Sequence, residues 1–379
     1  MAKTRVMLGL SGGVDSAVAA YLLKEQGYEV IACFMRNWDA MANNDFLGNP
    51  TAGDAQCPQE KDYDDALSVA KVLDIPLLRI DFVKEYWNDV FTYFLKEYEA
   101  GRTPNPDIFC NKFIKFSAFY QFAKQNDCSL IAMGHYAKRV EIDGHFYLAK
   151  AKDLNKDQTY FLSQLSEDQI KACLFPLGEL TKEEVRDIAK KLNLGVATKK
   201  DSTGICFIGE RHFKEFLHNY LPAQQGDIVD ISTGQKLGTH SGAMYYTIGQ
   251  HRGLGIGGIA HQEAEGWFVV RKDVSKNIVY VASGSENAAL FSDYCLVTNL
   301  NEYKGYDLDK KHLKAKFRYR SVDVDVDLEK IDKDTLKVTY RNKQKAIATG
   351  QAAVFYDGSI RVGGGLISEV YRDNKRIDK

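Results

Sequence analysis

Three short stretches hold the residues best suited to chemistry: "SGGVDS" at 11–16, "NPDIFC" at 105–110 and "GICF" at 204–207. The first lies between an apolar run and a helical pattern. Consecutive N–H groups in a glycine-rich turn form a concave nest for anionic oxygens, and a following helix N-terminus adds about half a positive charge. Phosphate is the natural occupant. Gly13 is followed by Val14-Asp15-Ser16, so the lysine that a Walker loop aims at the β- and γ-phosphates is missing. Such a loop suits gripping pyrophosphate as a leaving group while the α-phosphorus is attacked. In the second stretch Cys110 falls just ahead of an apolar-periodic segment, with Asp107 three residues before it. A thiol facing helix N-terminal N–H groups is pulled from about 8.5 toward neutrality, which would make Cys110 reactive. In the third, Cys206 sits beside a Ser-Thr-Gly turn and before Phe207 and Ile208. For either cysteine the alternative is a small buried core side chain.

These stretches need a scaffold that brings them together. Apolar runs at 6–10, 29–35, 77–81 and 130–133 alternate with helical stretches at 16–26, 62–73, 84–99 and 112–126. That alternation predicts a parallel sheet with helices on both faces. Ligands on such sheets bind beyond the strand C-termini, so the loops at 11–16, after Met35 and at Gly134-His135-Tyr136 are expected to meet. The stretch 37–59 is polar, turn-rich and long for a connection, and is expected to be a mobile lid. A hairpin around Asp143-Gly144 follows, then helices beginning near Lys156, Glu167 and Thr181, the last with the capping box Thr181/Glu184. After about residue 221 glycine density rises and helical periodicity fades. The expected fold class is α/β: a Rossmann-like domain with a parallel sheet at 1–210, a small mixed central α+β domain at 211–283, and a C-terminal β-barrel-like domain at 284–379.

With 379 residues, 45% hydrophobic content and no apolar run long enough for a bilayer, the chain reads as soluble, without a secretory signal and with a cytoplasmic address. Its seven cysteines form no CxxC pair and no Cys/His metal spacing, so neither an iron–sulfur cluster nor a protein-held metal is expected. A net charge of −1 makes any nucleic-acid surface a local matter. From 310 to 320, "KKHLKAKFRYR" has six Lys/Arg, one His and no acid. As a strand it would align Lys314, Lys316, Arg318 and Arg320 on one face able to follow a phosphate backbone. The alternative is an edge kept soluble by charge, with the acidic "VDVDVDL" at 322–328 pairing against it.

"SGGVDS" resembles the PP-loop signature of the ATP pyrophosphatases, which adenylate a substrate and release pyrophosphate. With "GHYA" (134–137), "KDQTYFL" (156–162), "KKDSTGICFIGE" (199–210), "YYTIGQHRGLGIGG" (245–258) and "GQAAVFYDG" (350–358), essentially the whole chain resembles the tRNA-specific 2-thiouridylases, which thiolate the wobble uridine. The resemblance implies ATP, accompanied by Mg2+, held by Gly9, Leu10, Ser11, Gly12, Gly13, Val14, Asp15 and Ser16, with Met35 and Gly134 shaping the adenosine site. It implies contacts to the target base from Asn105, Pro106 and Asp107, and to tRNA from His135, Lys156, Asp157, Gln158, Arg318, Tyr319 and Gln351. Cys206 would carry a persulfide and Cys110 would be its partner thiol, able to form a disulfide with it, with Asp107 the third catalytic group. The implied partners are tRNAs for lysine, glutamate and glutamine and a persulfide donor, either a cysteine desulfurase or a sulfur-relay protein, with no membrane. Two rivals remain at this stage: a small-molecule synthetase of the same superfamily and a tRNA-binding protein that uses ATP only as a ligand. A glutamine-dependent synthetase would need a glutaminase unit, and this chain has Ala2 where such a unit has a nucleophilic cysteine.

Overall fold

The structure, a computed structural model, describes residues 3–54, 56–201, 204–206, 208–256 and 266–378. Ala2, Ser202, Thr203, Phe207 and the Gly257-Gly258 end of the glycine motif lie outside the described residues.

Five parallel strands build the first sheet in the order Leu77–Asp81, Glu29–Arg36, Arg5–Gly9, Leu130–Ala132, Cys173–Leu174. Arg5–Gly9 is central. Val6 and Leu8 face the layer that holds Val18 and Ala19 of the helix Val14–Glu25, while Met7 faces an aromatic layer with Phe119. Burial on both faces is why this strand reads as an unbroken apolar run.

This domain departs from expectation at three places. The helix expected from 112 begins at Pro106 and runs on through a π segment, Cys110–Ala118, to Gln125. Asn105 caps it, its Oδ1 accepting the Asp107 N–H at 3.1 Å, and Pro106 fills the first position, where a missing N–H costs nothing. Cys110, Ile114 and Phe119 reach the core at spacings of four and five, wider than the α-helical period, so the periodicity hid the first turn. No helix begins near Lys156, where the chain runs through successive turns. Nor is the first part of the 37–59 stretch a loose lid: Trp38, Asn43 and Asp45 are buried, and Trp38 packs against Tyr86, Trp87, Phe91, Phe216 and Tyr220. The capping box at Thr181 is present, heading the helix Lys182–Lys191.

The expected hairpin, Lys138–Ile142 and His145–Ala149, turns on Asp143 and Gly144, both at positive φ. It leaves the first sheet and joins the C-terminal one, pairing Ala149 with Ile360 and Leu148 with Arg361. That sheet closes on itself as six antiparallel strands: Phe291–Glu302, Leu336–Lys345, Val324–Lys330, His312–Lys316, Ala352–Asp357 and Ile360–Arg372, the last pairing back to the first. Between the two lie the helix Phe213–His218 and a four-stranded mixed sheet, ordered Trp267–Asp273, Ile278–Ser283, Gly226–Asp230, Lys236–His240.

The basic stretch forms a strand only over His312–Lys316, with the acidic stretch as its antiparallel neighbour. Lys314 Nζ meets Asp325 at 3.2 Å and Lys316 Nζ meets Asp323 at 3.9 Å, so two of the four expected phosphate-facing cations are neutralised by their partners. A third, Arg318, lies past the strand end and donates from Nη2 to the Ile248 and Ala346 carbonyls, both at 2.8 Å.

Candidate active site

The loop 11–16 is shaped before any ligand arrives. Ser16 Oγ donates to the Gly13 carbonyl and accepts the Ser11 N–H, each at 3.1 Å. Gly12 adopts φ +71°, and a Cβ there would stand 2.1 Å from the Asp62 carbonyl oxygen, so only glycine fits. The helix Val14–Glu25 starts from Gly13 without a side-chain cap, which leaves its first N–H groups directed at an incoming anion. Gly134 seats its loop against the same helix start, where a Cβ would stand 2.9 Å from Ser16 N. Met35 and Met133 close over Gly9, with Cε and Sδ at 3.0 and 2.8 Å from the position of a Cβ there. The loops at 11–16 and 134–136 therefore meet, as expected, with Met35 at the adjoining strand end.

Asp15 is engaged within the protein: Lys182 Nζ bonds its two carboxylate oxygens at 2.7 and 2.8 Å, and Tyr136 OH donates to it at 2.8 Å. Lys199 Nζ lies 3.0 Å from the Gly12 carbonyl oxygen. Sequence analysis missed both lysines because they come from 167 and 187 residues away and belong to no local spacing pattern. Among the described residues no group of three or more His, Cys, Asp or Glu is placed to hold a metal ion.

Cys110 Sγ and Cys206 Sγ stand 3.8 Å apart, with the Cys110 thiol donating. Asp107 Oδ1 accepts the Cys206 N–H at 3.0 Å, and Tyr86 OH donates to the Cys206 carbonyl at 3.0 Å. Gly204 makes the turn, at φ +92°, where a Cβ would stand 2.2 Å from the Gly209 carbonyl oxygen.

The two thiols differ electrostatically. Burial pushes the Cys110 thiol well above its ordinary pKa. The hydrogen bond from Cys110 pulls Cys206 below its ordinary value against the cost of burial, and the Lys115 ammonium adds to this. Burial disfavours charge on Lys115, but Cys206 and Cys110 outweigh it and hold the ammonium. A π ladder runs from i to i+5, so Lys115 is one hydrogen-bonded turn on from Cys110. The thiol that its surroundings make easier to ionise is thus Cys206, where Cys110 was expected. Cys110 is the fifth residue of its helix, past the N-terminal N–H groups, and lies in the core. Burial also raises the Asp107 carboxyl, opposed by the Cys206 N–H and Lys115. Burial, and then the charge of Lys115, drive the His135 imidazole well below its usual pKa, so it is neutral.

The remaining candidates are each held by contacts within the protein. Gln351 Nε2 donates to the Thr103 carbonyl at 2.7 Å and its Oε1 accepts from Tyr160 OH at 3.3 Å, fixing the approach to Asn105 and Pro106. Asp157 is buried and accepts from the Ala151 N–H at 3.1 Å and Thr159 Oγ1 at 2.7 Å. Gln158 Oε1 accepts the Tyr136 N–H at 2.9 Å, and Lys156 pairs with Asp201 at 2.7 Å. The Tyr319 ring lies 4.3 Å from that of Phe161.

Residues 4–210 match the family described as tRNA methyl transferase HUP domain, 214–283 the tRNA methyl transferase PRC-barrel domain, and 292–367 the Aminomethyltransferase beta-barrel domain. The chain is 53% identical over 377 residues to tRNA-specific 2-thiouridylase MnmA of Metamycoplasma arthritidis, covering 99% of each chain. It is 54% identical to the protein of that name from Mycoplasma capricolum subsp. capricolum, with 98% of this chain and 100% of the relative covered. For that of Staphylococcus carnosus the identity is 49%, with 98% and 96% covered. The domain descriptions speak of methyl transfer and the full-length relatives of thiolation. Two thiols in contact, one of them with its pKa drawn down by its neighbours, are what sulfur chemistry requires.

Proposed function

The chain belongs to the tRNA-specific 2-thiouridylase family, and from that premise we propose a task for each group at the site. It is an ATP-dependent tRNA-uridine 2-sulfurtransferase: it adenylates the C2 oxygen of the wobble uridine, releases pyrophosphate, and transfers persulfide sulfur to give 2-thiouridine and AMP. The observation that carries the assignment of tasks is the 3.8 Å approach of Cys110 to Cys206 at the end of the sheet that bears the preformed loop.

ATP, used with Mg2+, lies along Gly9, Leu10, Ser11, Gly12, Gly13, Val14, Asp15 and Ser16, with Met35 and Gly134 against the adenosine. The uracil rests on Asn105, Pro106 and Asp107. Its C2 carbonyl is a poor electrophile, and passing the oxygen to the α-phosphorus turns that oxygen into a leaving group. As O2 attacks, the N3 proton goes to Asp107, whose raised pKa makes it a stronger base than an exposed carboxylate. Cys206, as thiolate, attacks the terminal sulfur of a donor persulfide, forming Cys206–S–S⁻ and freeing the donor thiol. The terminal sulfur attacks C2 and expels AMP. Cys110 then attacks Cys206 Sγ, its proton passing to the departing thiouridine, and the Cys110–Cys206 disulfide forms. If Cys110 attacks first, hydrosulfide is released and adds to C2, with the same products. Either route oxidises the cysteine pair, and a cellular dithiol reduces it before the next turnover.

The set of His135, Lys156, Asp157, Gln158, Arg318, Tyr319 and Gln351 receives the tRNA, with acceptors for lysine, glutamate and glutamine as substrates and a cysteine desulfurase or relay protein as donor. The functional units are 1–210 for adenylation and thiolation, 211–283 as the central domain and 284–379 for tRNA contact. No helix among the described residues is long and apolar enough to cross a membrane, and a reducing cytoplasm suits the paired thiols.

Cys206→Ser should lose sulfur loading and thiolation while keeping tRNA-dependent pyrophosphate release. Cys110→Ser should load sulfur at Cys206 and stall. Peptide mapping under non-reducing conditions reads both, and persulfide on Cys110 with Cys206 free would reverse the roles.

A further inference from the structure

Lys199 stands where the loop's own sequence leaves a positive charge missing. Residues 11–16 offer N–H groups but no cation to the β- and γ-phosphates, which carry most of the charge of ATP. Lys199 Nζ touches the loop at the Gly12 carbonyl oxygen, 3.0 Å away, and lies between Asp62 and Asp65 at 2.7 and 2.6 Å. Burial works against its charge, but the hydrogen bonds it donates to Asp62 and Asp65 raise its pKa above the ordinary lysine value, so it is a full cation.

Two lysines touch this loop, and their surroundings separate them. Lys182 has a side chain only 11% exposed and is held between Asp15 and Asp201; moving it would take away the ammonium that bonds both Asp15 carboxylate oxygens. Lys199 is 31% exposed, and its partners Asp62 and Asp65, on the helix Pro58–Leu73, are 43% and 42% exposed. Pairs this open to water are exchanged at little cost. Lys199 is therefore the movable cation.

We propose that Lys199 replaces the missing loop lysine, its ammonium turning from Asp62 and Asp65 to the β,γ-phosphates of ATP and stabilising the pyrophosphate as it leaves. This deepens the adenylation reading and rests on it. The same segment of chain leads to Cys206, so the charge that serves the first half-reaction and the thiol that serves the second are joined by a short covalent path.

The test compares Lys199→Met, Lys199→Arg and the double variant Asp62→Asn/Asp65→Asn by calorimetric titration with ATP and with AMP, and by tRNA-dependent pyrophosphate release. A charge-assisted contact to phosphate predicts ATP binding weakened by about tenfold or more in Lys199→Met. AMP binding, which lacks the β,γ-unit, should be unchanged and so reports an intact site. Lys199→Arg should recover most of the loss, and the Asp double variant should bind ATP at least as well as the parent. Parental ATP affinity in Lys199→Met would overturn the proposal, as would a double variant that reproduces its defect, since Lys199 would then act only as a structural ion pair. If the parent protein itself forms ADP instead of AMP and pyrophosphate, the adenylation reading fails, whatever the Lys199 variants do.

Discussion

Cys110 and Cys206 carry the same functional group, and their neighbours decide which one reacts. Lys115 is the nearby cation that favours the Cys206 thiolate, so Lys115→Met should move the pH midpoint for iodoacetamide alkylation of Cys206 upward by about one unit, with Lys115→Arg recovering part of it. The direction follows because removing a cation destabilises the thiolate. Mass mapping of the alkylated peptide measures it, and an unmoved midpoint would remove Lys115 from the site. His135 supplies a second pH effect. Its folded-state pKa is depressed, so below about 6.5 the unfolded chain binds a proton that the folded chain refuses. Its contribution is complete above that pH and is lost as the pH falls, by up to about 1.4 kcal/mol per unit. Urea unfolding at pH 7.5 and 5.5 should show a smaller acid loss in His135→Phe. The raised Asp107 carboxyl has the opposite sign at lower pH, which is why the comparison is between variants.

Among the elements, the insertion after the second strand differs most from a reading of composition. Three of its polar residues, Asn37, Asn43 and Asp45, are buried. Asp45 is fully buried, pairs with Arg211 at 2.7 Å and accepts from Trp38 Nε1 at 2.9 Å, while Gly48 O accepts the His212 N–H at 2.8 Å. Residues 45–48 thus fasten the chain just beyond Cys206. Arg211→Met would leave Asp45 buried without a counter-charge, at a cost of about 3–5 kcal/mol. Limited proteolysis of the ligand-free parent should spare 38–48, whereas the variant should be cut there early. Rapid cutting of the parent would restore the lid reading. The π segment makes the same point: "CNKFIKFSA" reads as a helix, and only its packing shows that Lys115 comes round to the sulfurs.

Across the whole molecule, the barrel is tied to the first domain by backbone pairing as well as side chains. The hairpin 138–149 adds to the barrel sheet, and buried Arg361 donates to the Ser163 and Leu165 carbonyls at 2.6 and 3.2 Å. A tRNA meeting the barrel would therefore meet a surface rigidly linked to the 157–161 turns. Its charge differs from what the basic string suggests, since Lys314 and Lys316 face Asp325 and Asp323. Replacing both with alanine should change the log-salt slope of tRNA binding by less than about half a unit, whereas Arg320→Ala, exposed past the strand end, should reduce it by about one. Equal effects would mean that the acidic strand yields to the RNA.

The strand and helix order of the first domain, the hairpin at Asp143-Gly144, the Thr181 capping box and the identity of the nucleotide loop were legible in the sequence. Each depends on periodicity, turn chemistry or a cap within a few residues. Of what depends on contact between distant segments, only the meeting of strand-end loops and, through the resemblance, the partnership of Cys110 with Cys206 were anticipated. The resemblance gave Cys206 as the persulfide carrier and Cys110 as its partner, but the 3.8 Å approach and the lowering of the Cys206 pKa come from packing a π turn against a glycine-bent loop. The sequence offered a row of cations, but their neutralisation required knowing the strand register. It omitted a lysine from the loop, while folding places Lys199 beside it, because a side chain's electrostatic reach is measured in ångströms and not along the chain.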